Sequence, residues 1–262
     1  MNRIKWILIW ISVITLARLS YKYNIFRNLK YAAMPETSSE AYLNSGDAYY
    51  NKGLYDKAIE NYTKAIQINP EYASVYLHRG VACDMKGLAD KAIEDYTKAI
   101  QINPKETEAY FDRGFAYEKK GLTDKAIEDY TKAIQINPKY ATACVARGFA
   151  YDRKGLSDKA IEDYTKAIQI NPKETEAHFD RGLAFCYRGI SYHNKGLYDK
   201  AIEDCTKAIE INPKYELAYY SRGSAYRKKG FSELCISDWK KATDLNVKQA
   251  RQDLKEFFNI DY

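Results

Sequence analysis

Three histidines (His78, His178 and His193) and five cysteines (Cys83, Cys144, Cys186, Cys205 and Cys235) are the side chains of this 262-residue chain best suited to metal binding or nucleophilic chemistry. No CxxC pair occurs, and no histidine has a carboxylate or cysteine arranged with it as a metal site or a triad. The odd number of cysteines does not make a disulfide framework. No glycine-rich phosphate loop is present. These residues point away from an enzyme, and neither a cofactor nor a metal is expected.

A different pairing is regular. Arg79, Arg113, Arg147, Arg188 and Arg222 each precede an aspartate by 16 residues: Asp95, Asp129, Asp163, Asp204 and Asp238. Where the series begins, Ser45 and Asn61 replace both charges together. This co-occurrence predicts an arginine–aspartate bridge, either between two neighbouring helices of one hairpin or between adjacent hairpins. Asn61-Tyr62-Thr63 matches a glycosylation acceptor, but it falls inside a predicted helix and is read as chance.

The stretch that positions the aspartates is DKAIEDYTKAIQINP, found at Asp90–Pro104, Asp124–Pro138 and Asp158–Pro172. Close variants stand at Asp56–Pro70 and Asp199–Pro213. Three spacings between successive copies are 34 residues and one is 41. A period in this range marks stacked supersecondary units. With each Asn-Pro pair at places 31 and 32, six units run 39–72, 73–106, 107–140, 141–174, 182–215 and 216–249, with a seven-residue insertion at 175–181.

In each unit a glycine (Gly53, Gly87, Gly121, Gly155, Gly196, Gly230) separates two helical stretches. A second glycine inside the first helix, as at Gly46, Gly80 and Gly114, costs about 1 kcal/mol against alanine. Its recurrence predicts close helix approach, with Ala58, Ala92, Ala126, Ala160 and Ala201 expected opposite. Proline closes the unit because it cannot continue a helix. The insertion repeats the first-helix pattern as FDRGLAF and CYRGISY, seven residues apart. Seven residues keep helix faces within about 20°, so one helix lengthened by about 10 Å is expected rather than a loop.

An aromatic at place 4, Gly at 8, Tyr at 11, Ala at 20, an aromatic at 24, Ala at 27 and Pro at 32 resemble the tetratricopeptide repeat. The resemblance implies an all-α fold, a right-handed superhelical solenoid of antiparallel helix hairpins whose first helices line a concave groove. Cys83, Cys144, Cys205 and Cys235 replace core residues of this pattern, whereas Cys186 falls at a groove place. Val247, Ala250, Leu254, Phe257 and Phe258 make an apolar face on a C-terminal capping helix, within 250–262 together with the tail.

The second helices are nearly identical and the first helices differ, so specificity is expected in the latter. Groove places carried over from the family give Leu43, Asp47 and Tyr50 in unit one, Leu77, Val81 and Asp84 in unit two, and Phe111, Phe115 and Glu118 in unit three. They continue with Val145, Phe149 and Asp152, then Ile190, then Tyr220 and Arg227. This is an apolar and aromatic middle with an acidic edge that turns basic at Arg227 and Lys228. It implies a non-catalytic scaffold that holds a peptide or helix of a protein partner. A structural, self-associating repeat protein is the other function class compatible with the pattern.

Charge is distributed unevenly. The net charge of +6 rests on Arg3, Lys5, Arg18, Lys22, Arg27 and Lys30, and beyond them 35 basic residues balance 35 acidic ones. A neutral array is not a nucleic-acid binder. Residues 1–33 combine the basic arm with an apolar run of 12, Trp6–Ala17, and residues 34–38 form a linker. The run suits a membrane anchor flanked by interfacial tryptophans and tyrosines, or a signal removed on export.

Overall fold

The computed structural model describes residues 38–170 and 175–262; between 175 and 181 it describes the backbone alone. The expected anchor, basic arm and most of the linker lie outside these residues.

First helices α1 (Ser39–Asn51), α3 (Ala73–Met85), α5 (Thr107–Lys119), α7 (Ala141–Arg153), α9 (Thr175–Asn194) and α11 (Glu216–Lys228) each begin a hairpin. Second helices α2 (Tyr55–Ile68), α4 (Ala89–Ile102), α6 (Thr123–Ile136), α8 (Ser157–Gln169), α10 (Tyr198–Ile211) and α12 (Ser232–Asp244) complete them. Helix α13 (Lys248–Phe258) closes the array. Each first helix packs on its own second helix and, from α3 onward, on the second helix before it, an all-α solenoid.

Local chemistry sets the boundaries. Ser38 caps α1 by accepting from the Ala41 amide at 3.0 Å. At the first turn, Gly53 takes a left-handed φ of 74°. Its N–H donates to the Tyr50 carbonyl and that of Leu54 to Tyr49, the paired bonds of a Schellman motif. The same bonds recur at Leu88, Leu122, Leu156, Leu197 and Phe231. This motif places an apolar residue just beyond the glycine, so these side chains stand exposed along one edge. At the other end of most hairpins, the asparagine before proline accepts from the amide two residues on, as Asn69 does from Glu71.

The core lies between the two helix layers. Tyr62, Tyr96, Tyr130 and Tyr164 are fully buried, and Cys205 and Trp239 take their place in the last two units. The alanines expected opposite the helical glycines are buried as well, but an aromatic ring occupies the room that glycine leaves. A Cβ on Gly114 would sit 2.8 Å from the Tyr130 ring, and one on Gly223 would sit 2.6 Å from Trp239. Glycine therefore accommodates the large residue at place 24 more than it lets two backbones meet. At Gly189, where place 24 is Cys205, backbone atoms do come close, the Ala201 carbonyl lying 3.3 Å from such a Cβ.

All five arginine–aspartate pairs form within single hairpins, and the contact to the adjacent hairpin is made to a threonine instead of an aspartate. Arg113 donates Nε and Nη2 to the two carboxylate oxygens of Asp129 at 2.8 Å, within one hairpin. Its Nη1 donates at 3.0 Å to Thr97 Oγ1 on the preceding hairpin. The Thr97 hydroxyl spends its own proton on the Ile93 carbonyl, which turns its lone pairs toward the arginine. Arg79, Arg147, Arg188 and Arg222 repeat the clamp with Thr63, Thr131, Thr165 and Thr206.

The insertion is absorbed as a lengthened helix: α9 has 20 residues where the other first helices have 13. At the far end Val247, Ala250 and Leu254 are buried, whereas Phe257 remains exposed beneath Arg227, whose guanidinium lies 4.0 Å from its ring centre.

Candidate functional site: the face of the first helices

The expected groove residues divide by depth. Leu43, Leu77, Phe111, Phe115, Val145 and Phe149 are buried, forming a floor between adjacent helices. Phe111 packs against Tyr130 and Tyr140, and Phe149 against Tyr187. Asp47, Tyr50, Val81, Asp152, Ile190, Tyr220 and Arg227 are half-buried. A first helix packed on both sides leaves only a narrow strip open, and place 5 falls below it in five of the six units.

The carboxylates are engaged by the next unit. Asp84 accepts from Lys119 at 2.7 Å, and Glu118 is paired with Arg153. Both acids are buried, with side-chain exposures of 4% and 5%, while their cations are 37% and 46% exposed. The charges presented by units three and four are therefore basic, with the acids beneath them. Burial pushes the Glu118 carboxyl up, opposed by Arg153. Asp152 has no such cation, because the corresponding residue of α9 is Asn194. Asp152 accepts instead from Ser191 at 2.6 Å and from Tyr164 at 3.1 Å.

Asp47 accepts from the Tyr62 hydroxyl at 2.8 Å and lies 2.7 Å from His78 Nδ1. Tyr62 and Tyr164 belong to the second helices, which sequence reasoning read as scaffold alone. Their hydroxyls reach through the hairpin to carboxylates of the groove. The signal was present in the sequence, since a phenylalanine would fill the same core without the hydroxyl. At the C-terminal end Tyr220 donates to Asp253 of α13 at 2.7 Å, so the capping helix helps to hold a groove side chain.

Cys186 does not face the groove. It is 3% exposed, and burial pushes its thiol well above the ordinary range, so a reactive thiol is not found there. The other four cysteines are buried too, and those at Cys205 and Cys235 are pushed up to about 12 by burial. Among the described residues no group of three metal-binding side chains gathers, and no helix is long and apolar enough to cross a membrane.

Comparison with known proteins agrees with this architecture. A model described as TPR repeat matches residues 46–87 and 86–121, and one described as tetratricopeptide repeat matches 107–140, 141–174 and 182–215. No curated protein matches the chain. Among solved structures, YrrB, described as a TPR protein with an unusual peptide-binding site, shares 23% identity at a TM-score of 0.59, over 75% of this chain and 98% of its own. Pseudomonas aeruginosa PilF shares 14% identity at a TM-score of 0.69, over 83% of this chain and 96% of its own. The Cut9–Hcn1 hetero-tetramer of the APC/C gives 17% and 0.69, over 93% of this chain and 46% of that one. At these identities the likeness is one of fold. With its repeats in register and two family models matching them, the chain belongs to the tetratricopeptide-repeat family, whose members act as protein–protein interaction scaffolds.

Proposed function

We propose that the array is a non-catalytic scaffold that holds an extended peptide or a helix of a protein partner on the open strip of its first helices. The observation that carries this reading is the strip itself. Val81, Ile190 and Tyr220 offer half-buried apolar surface between fixed charges at Lys119, Arg153 and Arg227, held over a rigid buried floor. Apolar anchors set among ordered polar groups suit a short segment whose backbone is extended or helical. The solved relative YrrB, whose description names a peptide-binding site, supports the same class of ligand.

Phe111, Phe115 and Phe149 are too deep to serve as probes, because truncating a buried phenylalanine costs about 3–5 kcal/mol of stability and would confound a binding measurement. The test uses Val81→Glu and Ile190→Glu. A randomised library of displayed twelve-residue peptides, panned against the full chain, is expected to yield binders that both variants lose while their helical circular dichroism is unchanged. Binders retained by both variants would refute the assignment.

The chain is further proposed to be tethered to a membrane through Trp6–Ala17 and the basic arm around it. Fractionation of the full-length chain beside a chain starting at residue 37 tests this. Equal recovery of both in the soluble fraction after carbonate extraction would refute it.

A further inference from the structure

Along the groove, place 12 is occupied in turn by Asp84, Glu118, Asp152, His193 and Arg227. The first two carboxylates are neutralised by Lys119 and Arg153 of the following units. The rhythm then breaks at unit five, where Asn194 supplies no cation and His193 supplies no anion. Three charges are left over: Asp152 on one side of the break, Arg227 and Lys228 on the other. Among the described residues none of the three has an oppositely charged group within salt-bridge distance.

The last four residues of this series each also leave one buried polar atom unpartnered: Glu118 Oε2, Asp152 Oδ1, His193 Nδ1 and Arg227 Nε. A buried donor or acceptor without a partner costs about 1–3 kcal/mol. Four in a row, on successive first helices and at the same place, form a line of unmet hydrogen-bonding capacity. Acceptor capacity lies at the end formed by units three and four, where only Asp152 also lacks a cation, and donor capacity lies at the unit-six end. Burial pushes the Asp152 carboxyl up, and burial with Lys228 and Arg227 pulls the His193 imidazole down, as expected where no counter-charge is near. Arg227 is held in place by its stack on Phe257, so its charge has a fixed position.

We infer that units four to six select their ligand by charge direction: a peptide that sets a cationic side chain on Asp152 and an anionic group on Arg227 and Lys228, with a hydrogen-bonding group between them at His193. This rests on the peptide-groove reading above and deepens it. In units two and three the groove carboxylates Asp84 and Glu118 already have their cations, so these units supply apolar contact without this discrimination.

The test pans the same displayed twelve-residue library against the full chain, against Asp152→Asn and against Arg227→Gln/Lys228→Gln, each checked for an unchanged circular dichroism spectrum. The wild-type chain should enrich peptides carrying one lysine or arginine and one aspartate or glutamate at a fixed separation. Asp152→Asn should return the basic position to library frequency and leave the acidic one enriched, and the double variant should do the reverse. Enrichment of apolar peptides with no charge pair, or the same pair from all three proteins, would overturn this inference and leave the groove reading standing. No enrichment by any of them would overturn both.

Discussion

Replacing Arg113 by methionine removes two hydrogen bonds to Asp129 and one to Thr97 in a single step. Asp129, only 5% exposed, is left as a buried carboxylate without its cation. Breaking a buried pair from one side costs about 3–5 kcal/mol, mostly through the partner left behind. Replacing both residues, as Arg113→Met/Asp129→Leu, removes the orphan and should recover at least about 2 kcal/mol of that loss. Thr97→Val removes only the contact to the preceding unit and should cost about 1 kcal/mol. The three effects are read from urea unfolding followed by circular dichroism and fitted as a chain of coupled units, because a repeat array need not unfold in two states. If the two single substitutions simply add in the double variant, the clamp is not a stabilising unit, whatever its geometry.

Gly114→Ala should destabilise by about 1–3 kcal/mol, since the new Cβ would press on the Tyr130 ring, whereas Gly121→Ala meets open space and should cost about 1 kcal/mol through its left-handed φ alone. Thermal midpoints of the two variants measure the contrast. The His193 imidazole is pulled down, so folding favours its neutral form; the associated stability is present above the unfolded-state value near 6.5 and falls as pH drops below it, by at most about 1.4 kcal/mol per pH unit. His193→Gln should flatten the stability profile between pH 7 and pH 5, and an unchanged slope would count against this. All five thiols should resist a water-soluble disulfide reagent in the native protein and react together on unfolding, as titration with and without denaturant would show.

The fold was legible because its punctuation is chemical. Proline ends one helix, glycine in the left-handed region ends another, and both recur at a fixed period. The arginine–aspartate clamp was legible for a different reason: Ser45 and Asn61 lose both charges together, which links two positions 16 residues apart. Its third member was not. The clamp threonine is present in the first five units, including the one with no clamp of its own, so it carried no covariation with the pair. The depth of Phe111 and Phe149 was hidden as well. A helix packed on both flanks buries places that a single helical wheel would leave open, and only the three-helix arrangement decides this.

The clamp also has a direction along the polypeptide. Its arginine lies on the first helix of a hairpin, the threonine behind it on a segment already synthesised, and the aspartate 16 residues ahead. In the order of synthesis, each hairpin therefore brings a hook whose catch precedes it and whose lock follows it. Unit one, with Thr63 but neither arginine nor aspartate, is a catch alone and waits for Arg79. A circularly permuted array that began at unit four would still contain every clamp residue, but it would have to form one of its junctions against the direction of synthesis.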